Sequence, residues 1–355
     1  MAAAVGALAQ DALTWTLPHA VAVTMVLSLN AYVLLGGADF GGGVWDLFAS
    51  GRQREAQRAL IARAIGPIWE ANHVWLILIV VLLFTCFPRA FAHLSVELHI
   101  PITLMLVGIL LRGSAFIFRT YDSKSDAVQH RWGHIFSVAS VATPVLLGLC
   151  LGTVASGRVP FGTSALRVGF IGRFVTPWML SRFGWSVGLF SLALFAFLAA
   201  TYLTVEARDA GVRATFRRRA LQSQVMLAVI GALTLTFARR DAPLLHMALT
   251  SGAVAMGLLT VTVVAAIIAV VALLRAHFGW ARVAAAAQAT FIVWGWAWSQ
   301  YPLLLPPDQT ISALAASPVM LQLTLGALAI GTAILLPSFV YLFWVFKRGE
   351  TAFES

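Results

Sequence analysis

Glu70 and His73 stand three residues apart in Gly66-Pro67-Ile68-Trp69-Glu70-Ala71-Asn72-His73-Val74-Trp75, at the threshold of a long apolar run. On a helix that spacing puts both side chains on one face, a turn apart. A charge near the middle of a membrane helix costs about 2.5–3.5 kcal/mol on insertion scales, so such groups face a partner, a cofactor or a water path. Three chemistries suit the pair. Glu-x-x-His is half of a di-iron carboxylate site, and the sequence holds only one copy. A buried Glu–His contact would be structural. A protonatable site touching a quinone headgroup or a proton path would use Glu70 as the acid and His73 as its partner.

Two further clusters carry ionisable groups in apolar surroundings. Gly36-Gly37-Ala38-Asp39-Phe40-Gly41-Gly42-Gly43-Val44-Trp45-Asp46 packs five glycines around Asp39, which lets a backbone or a ligand approach closely. It also reads as a loose helix terminus with a solvated Asp39, and Asp46, farther along, is expected in solvent. Arg112 directly follows Leu110-Leu111 and either snorkels to the interface or answers a carboxylate on a neighbouring helix. His19, His73, His99, His134 and His246 could ligate haem, but their spacing does not pair them. No Cys-x-x-Cys-His, phosphate loop, dinucleotide fingerprint or nucleophile elbow occurs, and no metal site is expected. Independent catalysis by this chain alone is not expected.

The elements that must hold these residues are membrane helices. Hydrophobic residues make up 60% of the 355, charged residues only 11%, and the mean hydropathy is +0.87. Apolar runs of about 20 residues cross a hydrocarbon core of about 30 Å as helices, and without period-2 alternation a barrel is excluded. The fold class is all-α: a polytopic transmembrane bundle of about nine spans, centred near Met25, Ile79, Leu106, Leu146, Leu194, Val229, Val264, Val293 and Leu335. A loop from about Gly157 to Phe183, rich in Gly and Pro, divides a single integral membrane domain (1–355) into a first four-helix group (1–156) and a second (184–305). A last span (318–348) follows, so the arrangement is four plus four plus one.

With nine spans, 17 of the 24 Lys and Arg fall on one side and 7 on the other. The positive-inside rule then puts the amino terminus outside and the carboxyl terminus in the cytoplasm. Asp39, Glu70 and Arg112 come to one level, near the cytoplasmic side. The formal charge of +10 reflects short loops beside apolar spans, so nucleic acid is excluded as a partner. The first span lacks the positive flank of a cleavable signal and is expected to stay as a helix. Cys86 and Cys150 are expected as unpaired thiols. Ala284 to Ala287, Gly326, Ala329 and Gly331 are expected to pack the later helices closely, and Trp294, Trp296, Trp298 and Tyr301 to form an interfacial belt.

These motifs resemble subunit II of the cytochrome bd-type quinol oxidases, including the cyanide-insensitive branch. The matching passages are Gly37 to Gly43, Ile65 to Ile77, Leu111-Arg112-Gly113 and Gln322-Leu323-Thr324-Leu325. The resemblance implies a bacterial inner-membrane complex in which subunit I carries haems b and d and the quinol-oxidising site, while subunit II packs against it without ligating haem. A small accessory subunit and membrane lipid would complete its partners. It implies that Glu70 belongs to a proton route, and that Asp39, Trp69 and Arg112, with His73, lie near a bound quinone or the subunit contact. Many members carry an Asp four residues before the position of Asp39, where this chain has Leu35.

The resulting expectation is the non-haem subunit of a quinol:oxygen oxidoreductase that draws protons from the cytoplasm while oxygen is reduced to water. A secondary transporter is the alternative from another class, since intramembrane ionisable groups and Gly-broken helices also mark substrate sites. A purely structural scaffold is the third reading.

Overall fold

A computed structural model describes residues 16–65, 69–121, 126–159 and 169–352, without the side chains of 65, 69–71, 119–121, 126–130, 336, 339–340 and 342–352. Gly66, Pro67 and Ile68 lie outside the described residues, as do the side chains of Trp69 and Glu70.

The first group comprises α1 (Leu17–Leu47), α2 (Arg54–Ile65), α3 (Trp69–Cys86), α4 (Pro88–Glu97), α5 (His99–Tyr121) and α6 (Asp126–Ala155). Two short helices, α7 (Phe170–Phe174) and α8 (Thr176–Met179), lead into α9 (Arg182–Glu206), α10 (Ala210–Asp241), α11 (Pro243–Ser251), α12 (Ala253–Leu274) and α13 (Phe278–Gln300). A two-stranded antiparallel hairpin, β1 (Leu303–Leu305) and β2 (Gln309–Thr310), precedes α14 (Ile311–Leu314) and α15 (Pro318–Ala352). The all-α class holds.

Each expected span centre falls in a helix, but seven of the described helices are long and apolar enough to cross a membrane, or eight if α3 and α4 are taken together. The count of nine is not confirmed: α3, whose first three side chains lie outside the described residues, enters it only together with α4, which turns away from it by 116° at Phe87-Pro88. In addition α13, 23 residues long, falls short of the apolarity of the others. Pro88 explains the break, since its ring cannot continue the preceding helix. The bend is tied down from α14's side by the Ala316 amide, which donates to the Cys86 carbonyl at 2.8 Å.

Helix starts carry their own satisfaction. Ser181 Oγ accepts from the Gly184 amide at 2.9 Å and Asp209 Oδ1 from the Val212 amide at 2.8 Å, which supplies α9 and α10 with N-caps. Across the Gly157–Phe183 connection, Arg173 on α7 donates to both oxygens of Glu97 at the end of α4, at 2.5–3.1 Å. Those hydrogen bonds push the already basic guanidinium further up.

The main core joins both helix groups: Tyr32 and Phe40 of α1 meet Phe195 and Leu198 of α9, Ala269 and Leu273 of α12, and Ala285 and Ala289 of α13. Ala284 and Ala285 pack as expected. Gly326, Ala329 and Gly331 do not: they are exposed on α15, whose main contacts with the long helices are to α1 and α3, and nothing stands within 4 Å of where a Cβ would sit on either glycine. Close approach is made elsewhere. A Cβ on Gly41 would run into the Phe195 carbonyl of α9, one on Gly43 into Ser140 of α6, and one on Gly188 would lie 2.5 Å from the Val145 carbonyl. Cys86 and Cys150 are free thiols.

Candidate functional site

The glycine-rich stretch does not end α1. The helix runs on to Leu47, which carries Asp39 inside the bundle, about 12 Å from the helix end at 1.5 Å per residue. Because Gly37, Gly41 and Gly43 have no side chain, α9 and α6 close directly over this part of α1. Asp39 is therefore 0% exposed and the solvated reading fails. Asp46 is also buried, at 1% exposure: Ser137 Oγ on α6 donates to it at 3.2 Å and Arg58 Nε of α2 stands 3.6 Å away. α2 and α6 cover the end of α1, which is why Asp46 is not in solvent.

Arg112 on α5 is the answering cation. It is 2% exposed and forms a two-nitrogen fork on the Asp39 carboxylate, with Nη1 donating to Oδ2 at 2.8 Å and Nη2 donating to Oδ1. Nη2 also donates to the Asp39 backbone carbonyl at 3.1 Å, and Nε to Ser140 Oγ at 3.0 Å. The guanidinium plane lies between the rings of Phe40 and Phe136, 4.5 and 4.9 Å from their centroids. Parallel N–H···O bonds are the strong, directional form of this contact, and flanking aromatic faces favour a desolvated cation. Asn72, on the first turn of α3, donates from Nδ2 to Asp39 Oδ2 at 2.5 Å and is fully buried. One carboxylate thus ties together α1, α3 and α5, with α6 joined through Ser140.

The expected residues divide accordingly. Asp39 and Arg112 are brought together, while His73 lies half-buried on α3 with its ring 6.4 Å from that of Phe40. Trp69 and Glu70 begin the same helix, one turn before His73, with side chains outside the described residues. Asn72, Ser140, Phe136 and Ser137 are additions the sequence reading did not single out. The signal for Asn72 lay inside the quoted motif, as an amide in an otherwise apolar helix start. Ser137 and Ser140 recur at three-residue spacing on α6, one turn apart, and so present one polar edge.

A quinone headgroup needs a donor or acceptor within reach of the membrane. Asp39 and Arg112 do not fit that need: both are sealed, and the guanidinium spends its nitrogens on Asp39 and Ser140. Among the described residues no cluster of three or more His, Cys, Asp or Glu could hold a metal.

Residues 17–346 match the family model described as cytochrome bd terminal oxidase subunit II. The chain belongs to that family. Among subunit II relatives, the cytochrome bd-I ubiquinol oxidase subunit 2 of Escherichia coli is 28% identical over 211 residues, 57% of this chain and 53% of the relative, so this chain spans about half the length of the relative it matches. The putative cytochrome bd menaquinol oxidase subunit II of Bacillus subtilis is 22% identical over 328 residues, 90% of this chain and 92% of that one. In structure, the chain is similar to bd oxidase from Geobacillus thermodenitrificans, with a TM-score of 0.76, 23% identity, and coverage of 94% of this chain and 99% of that chain. At that identity the likeness shows the bd oxidase subunit fold. Multiple apolar helices and family membership together make this a multi-pass bacterial membrane protein.

Proposed function

We propose that this chain is the non-haem subunit of a quinol:oxygen oxidoreductase, held against a haem-bearing subunit I, and that it contributes to proton uptake rather than to electron transfer. The observation that carries the reading is the subunit II family match across residues 17–346. Haems b and d belong to the partner, where they supply oxygen reduction. The amino terminus lies outside and the carboxyl terminus in the cytoplasm, and residues 1–355 form one membrane domain.

Within that frame Glu70 handles the proton. It stands on the first turn of α3, which the Asn72–Asp39 bond fixes to α1. Asp39 and Arg112 are positioning residues: they lock the start of α3 in register instead of touching quinone. Trp69 and His73 then carry whatever contact this half makes with a quinone or with the partner. The outward faces of α3 and α15 take subunit I, as Val74, Ile77 and Phe84 on α3 are 47–60% exposed. Leu35 leaves α1 with no acid one turn before Asp39, so the route rests on Glu70 without a second carboxylate at that position.

Affinity purification of the tagged chain from its native membrane, followed by a visible spectrum and oxygen consumption with quinol, tests this. Wild type brings down a haem-bearing partner and turns over; Glu70→Gln keeps the haem spectrum and loses most of the turnover, on the order of the 10²–10⁴ associated with proton transfer by a positioned group. Absence of a haem partner sinks the oxidase reading. Unchanged turnover in Glu70→Gln with full haem content leaves a scaffold.

A further inference from the structure

At the end of the bundle opposite the Asp39–Arg112 pair, α9 begins and α10 ends, and between them runs a groove of about 480 Å³. Its walls change chemistry with depth. On α9 the face reads Arg182, Trp185, Leu189; on α10 it reads Ile230, Leu233, Phe237. The α10 positions recur every three or four residues, and beyond the lined part of the groove that spacing reaches Arg240 and Asp241 at the helix's end, the latter already held by Arg158. Two antiparallel helices therefore present the same gradient: a guanidinium at the bundle's end and aliphatic side chains farther in. Leu189 and Leu233 are 46% and 48% exposed, so the aliphatic part opens to the membrane.

The polar end carries positive charge that no carboxylate answers. Among the described residues neither Arg182 nor Arg240 has a carboxylate partner; the nearby Asp241 is engaged by Arg158 at 2.6 Å. Arg182 is the first residue of α9, whose amino-terminal partial charge also favours an anion. The Trp185 indole donates to the Met179 carbonyl at 2.9 Å, which fixes the ring at the groove's edge. An indole at headgroup level is the usual membrane-interface anchor.

We propose that this groove binds one anionic phospholipid from the leaflet at that end, its phosphate taken by Arg182 and Arg240 and one acyl chain laid along Leu189, Ile230 and Leu233. A neutral isoprenoid would leave both cations unanswered, and a partner helix would not account for their pairing with an aliphatic groove. Charge complementarity in a low-dielectric setting favours the phosphate.

Native mass spectrometry of the whole complex, reconstituted in phosphatidylglycerol and then transferred to mild detergent, tests the assignment. Wild type keeps one phosphatidylglycerol mass per copy of this chain. Arg182→Gln with Arg240→Gln lowers its occupancy about tenfold or more. Leu233→Trp, which fills the apolar floor and leaves both cations in place, lowers it as well. Size-exclusion elution matching wild type shows that each variant is folded; if the double variant does not pass, Leu233→Trp decides. Retention unchanged in a folded variant, equal retention of phosphatidylcholine, displacement by inorganic phosphate alone, or a polypeptide mass in place of lipid would each overturn the proposal.

Discussion

Arg112 illustrates how a charge is kept inside an apolar bundle. Its desolvation is offset only because the carboxylate, a backbone carbonyl and a serine hydroxyl all accept from it while two phenyl rings cover its faces. Removing one member of such a pair strands the other, at a cost of about 3–5 kcal/mol, whereas replacing both by apolar residues of similar volume is close to neutral. Arg112→Met should therefore lower the melting temperature of the purified protein sharply, and Asp39→Leu combined with Arg112→Met should recover most of the loss. A double variant no more stable than the single one would refute the pairing. The sequence carried both residues to one depth through span counting. It left Asp39 open between solvent and site because nothing in the local run of glycines tells that α6 and α9 close over it. Asn72 escaped attention for a related reason: its partner is 33 positions away, and an amide between Glu70 and His73 draws no notice of its own.

At the level of helices, the glycines of α1 set how near α6 and α9 can come. The atom that a Cβ on Gly41 would meet is a backbone carbonyl, which cannot rotate aside as a side chain can. Gly41→Ala should therefore push α1 and α9 apart, weaken the core around Phe40 and Phe195, and reduce the amount of protein accumulating in the membrane to a small fraction of wild type. Gly326→Ala on α15, where a Cβ meets nothing within 4 Å, should accumulate normally, and quantitative immunoblotting of membrane fractions compares the two. Equal accumulation of both variants would mean that the α1–α9 contact tolerates separation. Long apolar runs made the positions of these helices legible, since lipid allows little else to cross it. Which small residues do the packing was not legible. Gly41 and Gly326 look alike in sequence, and only the neighbour each one faces distinguishes them.

For the molecule as a whole, the unequal burial of its spans is the outstanding feature. In α9, 67% of the spanning window is buried within the chain, while in α15 the figure is 6%. Leu323 and Ile330 of α15 are each 67% exposed, and Gly326 and Gly331 open on the same sparsely covered helix. In lipid there is no hydrophobic gain from hiding leucine, so a helix held by a few contacts to α1 and α3 gains its order from packing against something else. Given the proposed partner, that something is subunit I. A nitroxide attached at Leu323→Cys or Ile330→Cys should be mobile and reached by oxygen dissolved in the bilayer when this chain is expressed alone, and immobilised and shielded when the partner is co-expressed. The same label at Leu233→Cys, on the groove between α9 and α10, should respond instead to removal of anionic lipid. Identical spectra at positions 323 and 330 with and without the partner would place α15 in lipid and move the subunit contact to another face.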